Sequence, residues 1–133
     1  MIGIVVATHG NLAQAFLDTS KMLIGEQEGV VAVGLQLNDA GSEFILKIES
    51  AISQLRENNY DEFVILLDLL GGTPFNQAMK LMERKEIQLL VGANLPMVIS
   101  ALMFDRKEGD IEELVKEAIE TAIEGTIDVK KVM

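Results

Sequence analysis

A single histidine occurs in this chain, His9, and it stands just past the apolar run Ile2–Ala7, in the turn Thr8-His9-Gly10. A neutral imidazole is a competent nucleophile toward phosphorus near neutral pH, because its reference pKa is about 6.5. The carboxylate best placed to assist it is Asp68, which closes a second apolar run, Phe63–Leu67. Such a carboxylate can accept the N–H of one ring nitrogen, fix the tautomer and stabilise the charge that develops on the ring. It also favours imidazolium, which cannot attack, and the sequence leaves that balance open. After Asp68 the chain reads Leu69-Leu70-Gly71-Gly72-Thr73-Pro74, a turn leading into a helix. Gly10, Gly71, Gly72 and Thr73 are therefore candidates to cradle a phosphoryl group. Helix N-termini carry free N–H groups, paired glycines allow close approach, and the threonine hydroxyl adds a donor. Taken singly, these residues have ordinary readings as a polar loop, a capped turn and a tight turn.

The elements around them bring these residues together. Ile2–Ala7, Val30–Leu35, Phe63–Leu67 and Ile87–Val91 are short, β-branched apolar runs, as expected of strands buried on both faces. Between them lie helical patterns. Asn11 with Gln14 reads as a helix cap, with a stripe of Leu12, Ala15, Phe16, Thr19 and Leu23 and a stop at Gly25. Ser42 opens a helix with a stripe of Ile45, Ile48, Ile52 and Leu55; Thr73-Pro74 starts another, with threonine as the cap. The loop Gly92–Pro96 precedes a short helix over Met97–Phe104, and Asp110 with Glu113 forms a capping box for Ile111–Glu124. Thr126–Val132 alternates as an edge strand would. Strand and helix alternating four times predicts one α/β domain over residues 1–133, a parallel sheet with helices on both faces. Ligands of such sheets bind beyond the carboxyl ends of the strands where the order reverses. In a flavodoxin-like order 2-1-3-4, the first and third strands flank that point, which places His9 and Asp68 in one crevice.

Composition narrows the classes. The chain has 133 residues, no cysteine and a net charge of −10. The missing cysteines exclude disulfides, thiolate zinc sites and cysteine nucleophiles. The acidic balance argues against nucleic acid, whose phosphates need clustered Lys and Arg, and fits a basic protein partner. No apolar run approaches the ~18 residues that span a bilayer, and the start does not read as a signal peptide, so a cytoplasmic location is expected. The GxGxxG dinucleotide fingerprint is absent after the first strand. One histidine with scattered carboxylates supports a metal site poorly, so neither metal nor cofactor is expected.

Four stretches, VVATHGNLAQAFL at 5–17, MLIGEQEGV at 22–30, LLDLLGGTPFNQA at 66–78 and VGANLPMVISALM at 91–103, together resemble the IIA component of the mannose-family sugar phosphotransferase system. The resemblance implies that His9 is phosphorylated, that Asp68 orients it, that Gly71, Gly72 and Thr73 form the cradle, and that Asn94, Leu95, Pro96 and Met97 form a rim toward partners. It implies HPr as phosphoryl donor and a histidine of the IIB component as acceptor, with the IIC and IID membrane components downstream. It also implies a homodimer in which a C-terminal antiparallel strand, here Thr126–Val132, is exchanged between copies. Since the chain stops at Met133, the IIB partner is expected on a separate polypeptide.

Alternatives stay open from sequence. The phosphotransfer subunit of dihydroxyacetone kinases is similar in fold, and a receiver domain would carry phosphoaspartate at Asp68, although receivers place acidic residues where this chain has Thr8-His9-Gly10. A regulatory module switched by His9 phosphorylation and a ligand-binding domain without phosphoryl chemistry complete the set.

Overall fold

Runs in which every residue is apolar can be buried on both sides only when helices cover both faces of a sheet. The computed structural model, which describes Met1–Met133, has that arrangement. Strands β1 (Ile2–His9), β2 (Val30–Leu35), β3 (Glu62–Leu67) and β4 (Ile87–Val91) form one all-parallel sheet in the order β2-β1-β3-β4. The expected order is therefore the observed one. Between and after the strands come helices α1 (Leu12–Ile24), α2 (Gly41–Glu57), α3 (Thr73–Ala78, extended by a 3-10 turn at Met79–Leu81), α4 (Leu95–Met103), α5 (Ile111–Glu124) and a final turn α6 (Val129–Val132).

Side-chain alternation divides the core in two. Ile2, Ile4, Val6, Val64 and Leu66 face α1, α4 and α5. Val5, Ala7, Val33, Ile65 and Leu67 face α2 and α3, where Phe44, Ile48 and Ile52 pack on them. Both clusters lie under the first and third strands, so the two strands bearing His9 and Asp68 are the most deeply buried and the least free to move. Their register pairs Ala7 with Leu67, and His9 with Leu35 on the other side.

Two expectations need correction. The buried face of α1 is not the stripe Leu12, Ala15, Phe16, Thr19 and Leu23. Ala13 and Ser20 are buried and Phe16, Leu17 and Ile24 half-buried, while Leu12 and Leu23 are 41% and 59% exposed. The cause lies in the strand before it. The buried Thr8 Oγ1 accepts the Ala13 N–H at 2.8 Å and so turns Ala13 inward. That bond also does the capping expected of Asn11, whose side chain makes none. The second correction concerns the tail. Within the single chain Thr126–Val132 is no strand: it ends in a helical turn, with Asp128 Oδ1 accepting the Lys130 N–H. A lone extended segment gains no backbone bonds, so local turns satisfy its polar groups instead.

Candidate functional site

His9 is the last residue of β1, not a loop residue, and its backbone is still in the ladder with Leu35. Its ring is 45% exposed, whereas the Asp68 side chain beside it is only 10% exposed. Asp68 Oδ2 accepts two hydrogen bonds from His9, one from ring Nδ1 at 2.9 Å and one from the backbone N–H at 3.1 Å. Oδ1 accepts the Leu69 N–H at 3.0 Å. Burial pushes the Asp68 carboxyl upward, but the side-chain and backbone bonds from His9 together outweigh it and hold it below the usual carboxylate range. Asp68 is therefore ionised at neutral pH and can only accept. Nδ1 must carry the proton, and the lone pair of the neutral imidazole lies on Nε2. The Nδ1-protonated tautomer of the neutral ring thus follows from the carboxylate.

Gly72 lies against the exposed edge of that ring. A Cβ on it would sit 2.8 Å from His9 Cε1 and 3.3 Å from Nε2. Its φ of −78° is ordinary, so the glycine is required for space and not for backbone freedom. Gly71 is different, with φ +82°, a left-handed turn that glycine adopts without strain. The backbone N–H groups of Gly71 and Gly72 have no acceptor within the chain. Thr73 is the first residue of α3, with Pro74 second and Gly72 in the cap position; the threonine side chain makes no capping bond and lines the cavity beside His9.

Gly10 departs from the expected role. It turns the chain with φ +54°, but its N–H donates to Leu35 O at 2.7 Å and so is not free for a phosphoryl group. Its carbonyl rests against Gly34, where any Cβ would collide with it. The rim residues fare unevenly. Asn94 caps α4, with Oδ1 accepting the Met97 N–H, and its Nδ2 donates to Ala122 O. Met97 is 3% exposed and belongs to the core, so it cannot meet a partner; Leu95 and Pro96 are half-buried, and Pro96 packs closely on Gly125. The segment fastens α4 to α5 because an N-cap carboxamide with two free ends can bridge two helices.

Sequence reasoning missed the open cavity of about 930 Å³ beside His9, walled by the loop after β2 and by α3. Gln36, Leu37, Asn38, Asn76 and Gln77 line it. Their signal was a polar carboxamide-rich stretch after a strand, which is not distinctive alone. No group of three or more His, Cys, Asp or Glu side chains converges to hold a metal, and no helix is long and apolar enough to cross a membrane.

Comparison with known proteins gives this geometry a family. A family model described as the PTS system fructose IIA component matches residues 3–119. The PTS system mannose-specific EIIAB component of Escherichia coli (strain K12) is 34% identical over 125 residues, 93% of this chain and 38% of that protein. The chain thus spans about two fifths of the length of that relative. The fructose-specific EIIA component of Bacillus subtilis is 28% identical over 77% of this chain and 69% of its own length. Among solved structures, a phosphotransferase system component EIIA from Streptococcus agalactiae superposes with a TM-score of 0.87 at 28% identity, covering 98% of this chain and 99% of that one. A mannose/sorbose-specific IIA subunit from Enterococcus faecalis gives 0.82 at 26% identity over 95% and 94%. With a model match across most of its length and a sheet bearing His9 and Asp68 at adjoining strand ends, the chain belongs to the mannose-type EIIA family of the sugar phosphotransferase system.

Proposed function

We propose that the chain is a phosphoryl carrier for sugar uptake, with His9 Nε2 as the atom that bears the phosphoryl group. The observation that carries this reading is the 2.9 Å bond between His9 Nδ1 and the buried, ionised Asp68, which in the neutral ring puts the lone pair on Nε2 of a half-exposed side chain. In the step, the Nε2 lone pair forms a bond to phosphorus as the bond from phosphorus to the donor's imidazole nitrogen breaks. The donor ring leaves with that electron pair. His9 keeps its Nδ1 proton throughout, so the phosphorylated ring is cationic and Asp68 balances it. The N–H groups of Gly71 and Gly72 and the Thr73 hydroxyl supply donors for the phosphoryl oxygens. Catalysis is then a matter of position and preformed electrostatics.

By family resemblance, HPr is the donor and a histidine of a IIB component the acceptor, with IIC and IID membrane components downstream. A homodimer accords with β4, an edge strand, and with the exposed Ile127, Val129 and Val132 nearby in sequence to α5. Light scattering at micromolar concentration tests it, and a monomer would remove that part of the reading.

The central experiment is incubation with phosphoenolpyruvate, Enzyme I and HPr, followed by intact-mass measurement. Wild type gains one acid-labile, base-stable phosphoryl group and His9→Gln gains none. Absence of labelling on wild type, with HPr demonstrably phosphorylated, would overturn the carrier reading.

A further inference from the structure

Thr8 is the only polar residue buried in the sheet, and it immediately precedes the histidine. Successive strand residues face opposite sides, so its side chain points toward α1 while the His9 ring lies against the start of α3. The Thr8 hydroxyl donates to His9 O at 3.1 Å and accepts the Ala13 N–H at 2.8 Å. One oxygen thus joins the exit of β1 to the first turn of α1. The β-branched side chain that carries it has little torsional freedom with which to leave that position.

The pairing of β1 with β3 ends at Ala7 and Leu67, so His9 has no partner on β3. Side chains take over both of its backbone groups. The N–H donates to Asp68 Oδ2 at 3.1 Å, and the C=O accepts the Thr8 hydroxyl. On the other side, the Gly10 N–H donates to Leu35 O at 2.7 Å. With His9 O and Gly10 N–H both held, the peptide plane that follows the histidine cannot turn. The ring has little room to absorb an error in that plane. A Cβ on Gly72 would lie only 2.8 Å from His9 Cε1, so a ring displaced toward α3 meets backbone, and one displaced away leaves the Gly71 and Gly72 N–H groups.

Resting on the carrier reading above, we propose that Thr8 is a positioning residue for phosphoryl transfer: its hydroxyl fixes the His9 peptide and, through it, the direction in which Nε2 presents its lone pair. Thr8 is sealed on the far side of the sheet from the ring, at 0% exposure, and can touch neither a partner protein nor the phosphoryl group. Its contribution therefore belongs to the chemical step and not to docking. It is the same whichever molecule brings the phosphoryl group.

The test compares wild type with Thr8→Val, which keeps the shape without the hydroxyl, and Thr8→Ser, which keeps the hydroxyl. Measured for each are kcat and KM with phosphorylated HPr, and the labelling rate with phosphoramidate, a small donor that needs no docking surface. In Thr8→Val kcat falls about tenfold at an unchanged KM, phosphoramidate labelling falls by the same factor, and Thr8→Ser recovers most of the rate. Nitrogen-15 spectra of the ring, unambiguous because the chain has one histidine, add a readout that lost stability alone does not move. At one fixed pH the Nδ1 and Nε2 signals converge in Thr8→Val as the loosened ring samples both tautomers. Urea unfolding gives the folded fraction to which each rate refers. Should Thr8→Val not fold, Thr8→Cys takes its place, since a thiol donates and accepts only weakly.

A variant that is less stable yet labels at the wild-type kcat, with wild-type ring signals, overturns the proposal and leaves Thr8 a stabiliser of α1. A change in KM alone overturns it too. So does a Thr8→Ser as slow as Thr8→Val, which assigns the effect to the methyl group. Wild type that takes phosphoryl from neither donor defeats the carrier reading, and this proposal with it, whereas every other outcome requires a labelled wild type.

Discussion

The two ends of this parallel sheet handle backbone polarity in opposite ways. At the carboxyl end, N–H groups of Gly71 and Gly72 are left without acceptors and an imidazole stands half in solvent. At the amino end, the guanidinium of Arg106 is sunk among carbonyls. It donates to Ile2 O at 3.3 Å, Gly29 O at 3.1 Å and Glu28 O at 2.7 Å, while Arg106 O accepts the Ile2 N–H at 2.8 Å. Burial pushes the Arg106 guanidinium below its usual value, yet no carboxylate bonds it; the carbonyl dipoles do that work. The amino end is closed by saturating its acceptors. The carboxyl end is kept open by leaving donors unsaturated. Buried polar bonding closes one pole of the sheet, and the proposed chemistry sits at the other.

Substitutions can break that division or sharpen it. The largest effect belongs to His9→Gln, which abolishes labelling but leaves the thermal midpoint near wild type, because the exposed ring contributes little to the core. A large drop in the midpoint would mean that the two poles are not separable. Next comes Arg106→Ala, which orphans the carbonyls at the other end and costs about 2–3 kcal/mol in urea unfolding. Its folded fraction phosphorylates at the wild-type rate; a slower rate would show coupling between the poles.

Asp68→Asn removes the charge that balances the ring, and we expect a rate about 30-fold lower, the equivalent of one charge-assisted bond. The pH dependence has a definite sign. Because the folded Asp68 pKa is depressed, its contribution is fully present above the unfolded carboxylate value of about 3.9 and is lost as pH falls through the lower folded value. Asp68 therefore contributes no titration between pH 5 and 8, and a carboxylate step in the labelling profile inside that window would contradict the assignment. The smallest effect is expected for Gly72→Ala. Its backbone angle suits alanine, so stability holds, but the new methyl displaces the ring and slows labelling about fivefold, consistent with a sub-ångström shift in a positioned reactant.

Much of this could be read before any coordinates. Val30–Leu35, Ile87–Val91 and Ile111–Glu124 carry the bounds expected of them, because continuous apolar runs and a strong amphipathic period are local signals. The meeting of His9 with Asp68 was legible through topology, since adjoining strands of a doubly wound sheet bring their carboxyl ends together. What escaped was set by contacts distant in sequence. The face that α1 buries depends on the Thr8 hydroxyl reaching Ala13, not on the helix's own pattern. The Gly10 N–H is claimed by Leu35 on a neighbouring strand. The family resemblance puts Met97 at the rim, yet the helix rolls it into the core. The capping box expected at Asp110 and Glu113 also fails in detail: Asp110 holds the cap position without a side-chain bond.

His9 ends a strand instead of riding on a loop, and this has a consequence on the timescale of opening events. Its amide is tied to Asp68 and the next amide to Leu35, on the strand at the centre of both core clusters. In hydrogen exchange these two amides should be among the last to yield, opening with the global unfolding unit and not with the surface. On the carrier reading proposed above, His9 needs no ordering step before it reacts, and a partner meets a site already in place.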